Sequence, residues 1–281
     1  MPEVWIQGAI ATKFLLYLGV LTAAGSVFAA LIFRTSDVKA FASIFSILGL
    51  IGACMGFLIG GATLMGDASG MYDREILGLL WSTPVGTALS YRLVGLGLLV
   101  GGFALGMPGL WISSLGGVIA LWSFVTVGHV PDQDVLWINM LLLLHLVAIS
   151  LWIGILTPLR RLCITGLTKE VSNLGHRFGR AATVFVPLLI LAGLAMSYRL
   201  VGSINALLTT GYGQALIAKV MLVGALLGLA AHNKLRLIPM LLAGETRALN
   251  QLSRSISLEW IAVALILLIT AILTSTLNVP S

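Results

Sequence analysis

Gly128-His129-Val-Pro-Asp132-Gln-Asp134-Val-Leu-Trp-Ile-Asn139-Met140-Leu-Leu-Leu-Leu-His145-Leu-Val-Ala-Ile-Ser-Leu-Trp152 decides how the rest of the chain is read. A short acidic loop gives way to an apolar run with no acidic side chain, Lys or Arg from Val135 to Trp152. Such a run predicts a membrane-spanning helix, because about 20 mostly apolar residues cross about 30 Å of hydrocarbon. His145 then lies within lipid rather than water. A metal-competent imidazole at that depth is unfavourable unless a partner or ligand satisfies it, which makes it a functional candidate.

Composition extends the same conclusion to the whole chain. Hydrophobic residues make up 59% and charged residues 9%, with a mean hydropathy of +1.07; soluble domains carry roughly 25% charged residues. The expected fold is an all-α polytopic membrane bundle of eight transmembrane helices, near 8–32, 41–65, 87–106, 110–129, 136–158, 181–201, 214–236 and 255–276. Residues 1–281 then form a single integral membrane domain. The connection 159–180, with Arg160, Arg161, Lys169, Arg177 and Arg180, is expected to lie on the surface as a partly amphipathic segment. Residues 66–86 are expected as a short helix or loop over one mouth of the bundle.

Charge placement predicts orientation, since Lys and Arg in short loops stay cytoplasmic. Basic residues cluster at Arg34 and Lys39, in 160–180, and at Lys234, Arg236, Arg247 and Arg254. An eight-helix count puts these on one side, so both termini are expected on the periplasmic side of a bacterial inner membrane. The net charge of +6 expresses this asymmetry. No basic stripe with interleaved aromatics points to nucleic acid, and the bilayer is the expected partner. The first apolar run exceeds the roughly 7–15 residues of a signal-peptide core, so a retained span is expected. Cys54 and Cys163 fall at different depths, and no disulfide between them is expected.

The chain also echoes itself. Ser82-Thr83-Pro-Val-Gly86-Thr-Ala88-Leu89-Ser-Tyr-Arg92 aligns with Thr209-Thr210-Gly-Tyr-Gly213-Gln-Ala215-Leu216-Ile-Ala-Lys219. Gly128-His-Val-Pro likewise aligns with Leu277-Asn-Val-Pro. Both offsets equal four helices, which predicts a parallel four-plus-four duplication with halves 1–130 and 131–281. The histidines belong mainly to the second half, where His129 stands opposite Asn278 and His145 opposite Leu16 or Tyr17.

Imidazole and thioether donors together suit Cu(I) better than Mg or Ca, which prefer oxygen clusters. The candidate metal residues are His129, Asp132 and Asp134 at the outer mouth, then Met140, then His145, about 13 Å below the outer boundary of the helix near Leu136. Met55 and Met221 are candidates from other helices, within a pool that also holds Met65, Met71 and Met196; a methionine taken alone is more often a packing residue, and only a cluster around a histidine counts. Towards the cytoplasm, His232 and Glu259 form a candidate exit site or proton relay. The plainer alternative pairs Glu259 with Lys234 or Arg254 as a structural ion pair. No phosphate-cradling Gly-rich loop, HExxH helix or Gly-x-Ser-x-Gly elbow is present, so neither nucleotide-driven pumping nor an enzyme of those classes is expected.

On these residues the chain resembles the CopD/PcoD family of bacterial copper-resistance membrane proteins. The resemblance rests on Gly128-His129, Leu144-His145, Leu151-Trp152-Ile-Gly154, Arg177-Phe-Gly-Arg180, Thr209 to Lys219, Asn233-Lys-Leu-Arg-Leu-Ile-Pro239, Leu252 to Glu259 and Leu273 to Pro280. It implies an eight-helix inner-membrane protein that handles copper, moving it from periplasm to cytoplasm. Some relatives carry a fused copper-binding β-domain of the CopC type; a separate periplasmic CopC-like donor is the partner implied for this chain. A haem b protein with two histidine ligands is the competing expectation. Depth opposes it, because His145 and His232 sit at different levels and His129 and His176 at opposite surfaces.

Overall fold

A computed structural model describes residues 3–127 and 136–276. The described residues form helices α1 (Glu3–Phe33), α2 (Val38–Met65), α3 (Arg74–Trp81), α4 (Pro84–Gly102), α5 (Gly106–Trp122), α6 (Leu136–Ile164), α7 (Thr168–Val201), α8 (Ile204–Thr209), α9 (Gly211–His232), α10 (Ile238–Leu242) and α11 (Ala248–Ser275). A π-helical segment, Asn233–Leu237, joins α9 to α10 in one rod. Its widened turn immediately precedes Pro239, which has no N–H to continue an ordinary ladder.

Seven of these helices are long and apolar enough to cross a membrane: Glu3–Phe33, Val38–Met65, Pro84–Leu105, Leu136–Ile164, Thr168–Val201, Gly211–Leu242 and Ala248–Ser275. The expected span at 110–129 is represented by α5. Its 17 residues reach about 26 Å, short of a full crossing. The chain is thus a polytopic helical bundle with seven full-length spans and one shorter apolar helix among the described residues.

α1 is the hub. It packs against α2, α5, α6 and α11, and Ala23, Ala24, Ala29 and Gly25 along it are buried. Small residues let neighbouring backbones approach, the usual basis of helix association in lipid. A Cβ on Gly25 would fall on the Ser150 carbonyl, and one on Gly154 would fall on the Gly25 carbonyl. α1 and α6 therefore cross backbone to backbone. Gly19 meets Gly49 in α2 in the same manner, and Gly95 meets Gly116 and Ala120 where α4 packs on α5.

The surface segment expected over 159–180 is not observed. α6 continues to Ile164 and α7 begins at Thr168, so both helices project beyond their apolar stretches. Backbone hydrogen bonds close within a helix whether lipid or water surrounds it, so hydropathy marks the membrane boundary and not the helix end. Val171, Leu174 and Gly175 are buried, with Gly175 seated against Ile238 of α10. The basic residues do gather at one end. Arg161 pairs with Asp37 at 3.0 Å, Arg177 donates to the Phe33 and Ile32 carbonyls that end α1, and Arg160 donates to Ser257 Oγ. Towards the other end, Lys13 donates to the Thr274 carbonyl, and the Tyr17 hydroxyl lies 3.1 Å from Thr274 Oγ1.

Residues 66–86 form a 3-10 turn at Ala68–Met71 followed by α3, packed against α2 and α4. The Ser69 hydroxyl and then the Ser69 N–H, which Asp67 accepts, hold the Asp67 carboxyl below the usual range, and Asp73 caps α3 through the Glu75 and Ile76 N–H groups. The two segments aligned in the sequence, 82–92 and 209–219, open their helices alike. α3 leads to Thr83, whose hydroxyl accepts the Val85 N–H, and α8 leads to Thr210, whose hydroxyl accepts the Gly213 N–H. Gly86 then rests on the Trp81 carbonyl and Gly213 on the Leu207 carbonyl, where any Cβ would collide. Neighbour relations recur as well: α1 with α2, α4 with α5 and α1 with α5, then α6 with α7, α9 with α11 and α6 with α11. The second echo, at 128–131 and 277–280, lies outside the described residues.

Candidate functional site

A cavity of about 350 Å³ lies between α1, the turn after α5 (Phe124 and Val127), α6, α7, α9 and α11. Its walls are mostly aliphatic, and its polar members include Tyr17, His145, Trp152, Lys219 and Thr274, with the Met196 thioether. His145 and Trp152 are two helical turns apart on α6 and so share one face. His145 Nδ1 lies 3.3 Å from the Leu189 carbonyl of α7. A carbonyl only accepts, so Nδ1 carries the proton and Nε2 of the neutral ring keeps its lone pair for a ligand. Gly193 keeps the neighbouring space open, since a Cβ there would stand 3.6 Å from His145 Cε1.

Trp152 connects this cavity to a second polar group. Its indole N–H donates to Glu259 Oε2 at 3.1 Å, and the Asn233 amide donates to Glu259 Oε1 at 2.7 Å. Phe178 and Phe185 meet the Trp152 ring edge-on and fix its plane. Glu259 is only 3% exposed, and no basic side chain pairs with it among the described residues. The ion pair with Lys234 or Arg254 named from the sequence is therefore replaced by two neutral donors. The Lys234 stem packs beside Gly179 instead. Asn233 Oδ1, within the π-helical segment, is buried without a hydrogen-bond partner among the described residues.

Basic groups are also enclosed by the bundle. Arg92 donates to Ser123 Oγ at 3.1 Å and its guanidinium lies 5.4 Å from the centre of the Phe124 ring. Lys219, at the aligned position of the repeat, lines the cavity and has no hydrogen-bond or ion-pair partner among the described residues.

The remaining candidates among the described residues are dispersed. His129, Asp132 and Asp134 lie outside the described residues. Met140 is 42% exposed and lies on an outward patch with Leu136, Trp137 and Leu144. Met55 and Met221 are 41% and 70% exposed, and neither lines the His145 cavity. His232 is exposed at the end of α9. Among the described residues no three His, Cys, Asp or Glu side chains converge as a metal cluster, and no second histidine lines the cavity to give a bis-imidazole pair. What the structure adds is the placing of Met196 in the same cavity as His145, the Trp152–Glu259 link, and Lys219 without a partner among the described residues. The spacing of His145 and Trp152 was the available signal; the others depend on which helices become neighbours.

Two family models match the chain: Copper resistance protein D-like, N-terminal domain, over residues 1–138, and Copper resistance protein D over residues 172–273. No curated protein and no solved structure matches it.

Proposed function

The chain belongs to the copper resistance protein D family, and on that premise we propose that it carries copper ions through the bundle, from periplasm to cytoplasm, by way of the His145 cavity. The observation that supports this most is the column of polar groups inside an apolar bundle: His145 and Met196 in one cavity, Trp152 in its wall, and Glu259 behind Trp152. The Nε2 lone pair and a thioether match the softness of Cu(I). His129, Asp132, Asp134 and Met140 serve as the outer collecting station in this reading, and Met55 and Met221 as further thioethers along α2 and α9. A CopC-like periplasmic protein is the donor. Beyond Trp152, Glu259 is a buried carboxylate with no cation paired to it among the described residues, suited to hold a proton or a passing ion, and His232 lies towards the cytoplasmic exit. The membrane potential supplies about 2.3 kcal/mol per charge per 100 mV for an entering cation, so nucleotide hydrolysis is not required.

The parallel duplication belongs to this reading. Residues 1–130 build the packing half and 131–281 the half with the histidines, supported by the matching helix openings at Thr83 and Thr210. Orientation follows from the basic end of the bundle facing the cytoplasm of a bacterial inner membrane.

Copper accumulation in cells expressing wild type, His145→Ala or Glu259→Gln at equal membrane abundance tests the reading. Uptake should fall to the level of cells without the protein for His145→Ala and fall in part for Glu259→Gln. Undiminished uptake by His145→Ala would remove the cavity from the pathway.

A further inference from the structure

We propose that the cavity around Lys219 binds a single-chain amphiphile with a carboxylate head, which reaches it sideways from the bilayer between α7 and α9. This rests on the bundle spanning a membrane and not on copper passage.

Lys219 lies about 12 Å along α9 from Gly211, well inside the apolar span. An ammonium in an aliphatic cavity is unfavourable unless an anion or strong acceptor meets it. The other enclosed basic groups are satisfied: Arg92 by Ser123 and Phe124, Lys13 by the Thr274 carbonyl. The comparison with Arg92 is the telling one, because the two positions align in the repeat. Arg92 is tied to Ser123 and Phe124, whereas Lys219 lines the cavity with no hydrogen-bond or ion-pair partner among the described residues.

The shape indicates what occupies that space. α7 and α9 make no substantial contact along their lengths; α7 meets α8 and the π-helical segment at the two ends of α9. Between those ends, Leu194 of α7 and Val220 of α9 line the cavity and are also exposed outwards. Surrounded by a bilayer, this side faces acyl chains. A cavity of about 350 Å³ holds a head and part of a chain, and the remaining tail can lie in the gap. The cavity hydroxyls of Ser197 and Thr270 donate to carbonyls of their own helices, Gly193 and Ile266. Trp152 donates to Glu259 and His145 Nδ1 to Leu189. One ammonium without a partner among the described residues matches a singly charged carboxylate; a phosphodiester head calls for several donors. A bound carboxylate would also neutralise the positive charge that shares the cavity with His145.

Native mass spectrometry of the full-length chain, free of copper and titrated with palmitate, tests this. One palmitate per chain is expected on wild type. Lys219→Met should weaken occupancy by about tenfold or more, Lys219→Arg should retain it, and hexadecanol should bind like the Lys219→Met background. Gly193→Leu, which fills the space beside His145 and leaves Lys219 in place, should also remove the adduct. Absence of palmitate on wild type, equal occupancy in Lys219→Met, or equal binding of hexadecanol would each overturn the proposal. Because no copper is present, its failure leaves copper uptake through His145 untouched, and loss of uptake in His145→Ala leaves this site untouched.

Discussion

The Trp152 indole is held between two environments: its ring forms part of the wall of the His145 cavity, and its N–H donates to Glu259 Oε2 at 3.1 Å. A single side chain thereby connects the cavity to the only buried carboxylate among the described residues. Any change at the cavity that tilts the ring also changes how Glu259 is satisfied.

Trp152→Phe keeps an aromatic ring in place and deletes the donor. Glu259 then depends on Asn233 alone, and an unsatisfied buried acceptor costs about 1–3 kcal/mol. Thermal unfolding of the purified protein should show a lower Tm. The double variant Trp152→Phe/Glu259→Gln should depart from additivity by at least about 0.5 kcal/mol, as expected for directly bonded groups. Additive effects would mean that the two side chains do not depend on each other.

Gly25 and Gly154 form the backbone-to-backbone crossing of α1 and α6. Gly25→Leu and Gly154→Leu should each destabilise by more than the roughly 1–3 kcal/mol typical of overpacking, because the obstruction is backbone rather than a movable side chain. Gly97 of α4 has open space where a Cβ would go. Gly97→Ala should be neutral or stabilising, since alanine favours a helix by about 1 kcal/mol over glycine. Yield of monodisperse protein together with Tm separates these outcomes.

At the basic end, two arginines should differ in weight. Arg161 and Asp37 form an ion pair whose side chains are 62% and 64% exposed, so Asp37→Ala should cost at most about 1 kcal/mol and less in high salt. Arg177 donates to the two carbonyls that close α1 and lies over the Phe33 ring at 5.9 Å. Arg177→Ala should cost about 1–2 kcal/mol and respond little to salt. Denaturation at low and high ionic strength measures both.

The apolar runs, the acidic loop and the basic clusters identify a membrane bundle from the sequence because lipid imposes length and hydropathy together. Helix ends are less legible. Lys169, Arg177 and Arg180 read as a surface connection, yet they ride on α7 as it leaves the apolar region. Site membership is harder still. Met140 is closer in sequence to His145 than Met196, but Met140 faces outward while Met196 shares the cavity, a choice made by α7 packing on α6. The Trp152–Glu259 bond joins residues separated by 107 positions. No periodicity in a single helix contains such a contact.

The central claim, that His145 supplies a copper ligand within the cavity, is tested most directly by copper K-edge X-ray absorption on the purified protein loaded with Cu(I). Wild type is expected to bind Cu(I) with nitrogen and sulfur neighbours, His145→Ala to lose the nitrogen contribution and most of the bound copper, and Met196→Leu to lose the sulfur. Identical spectra and copper content in wild type and His145→Ala would contradict it.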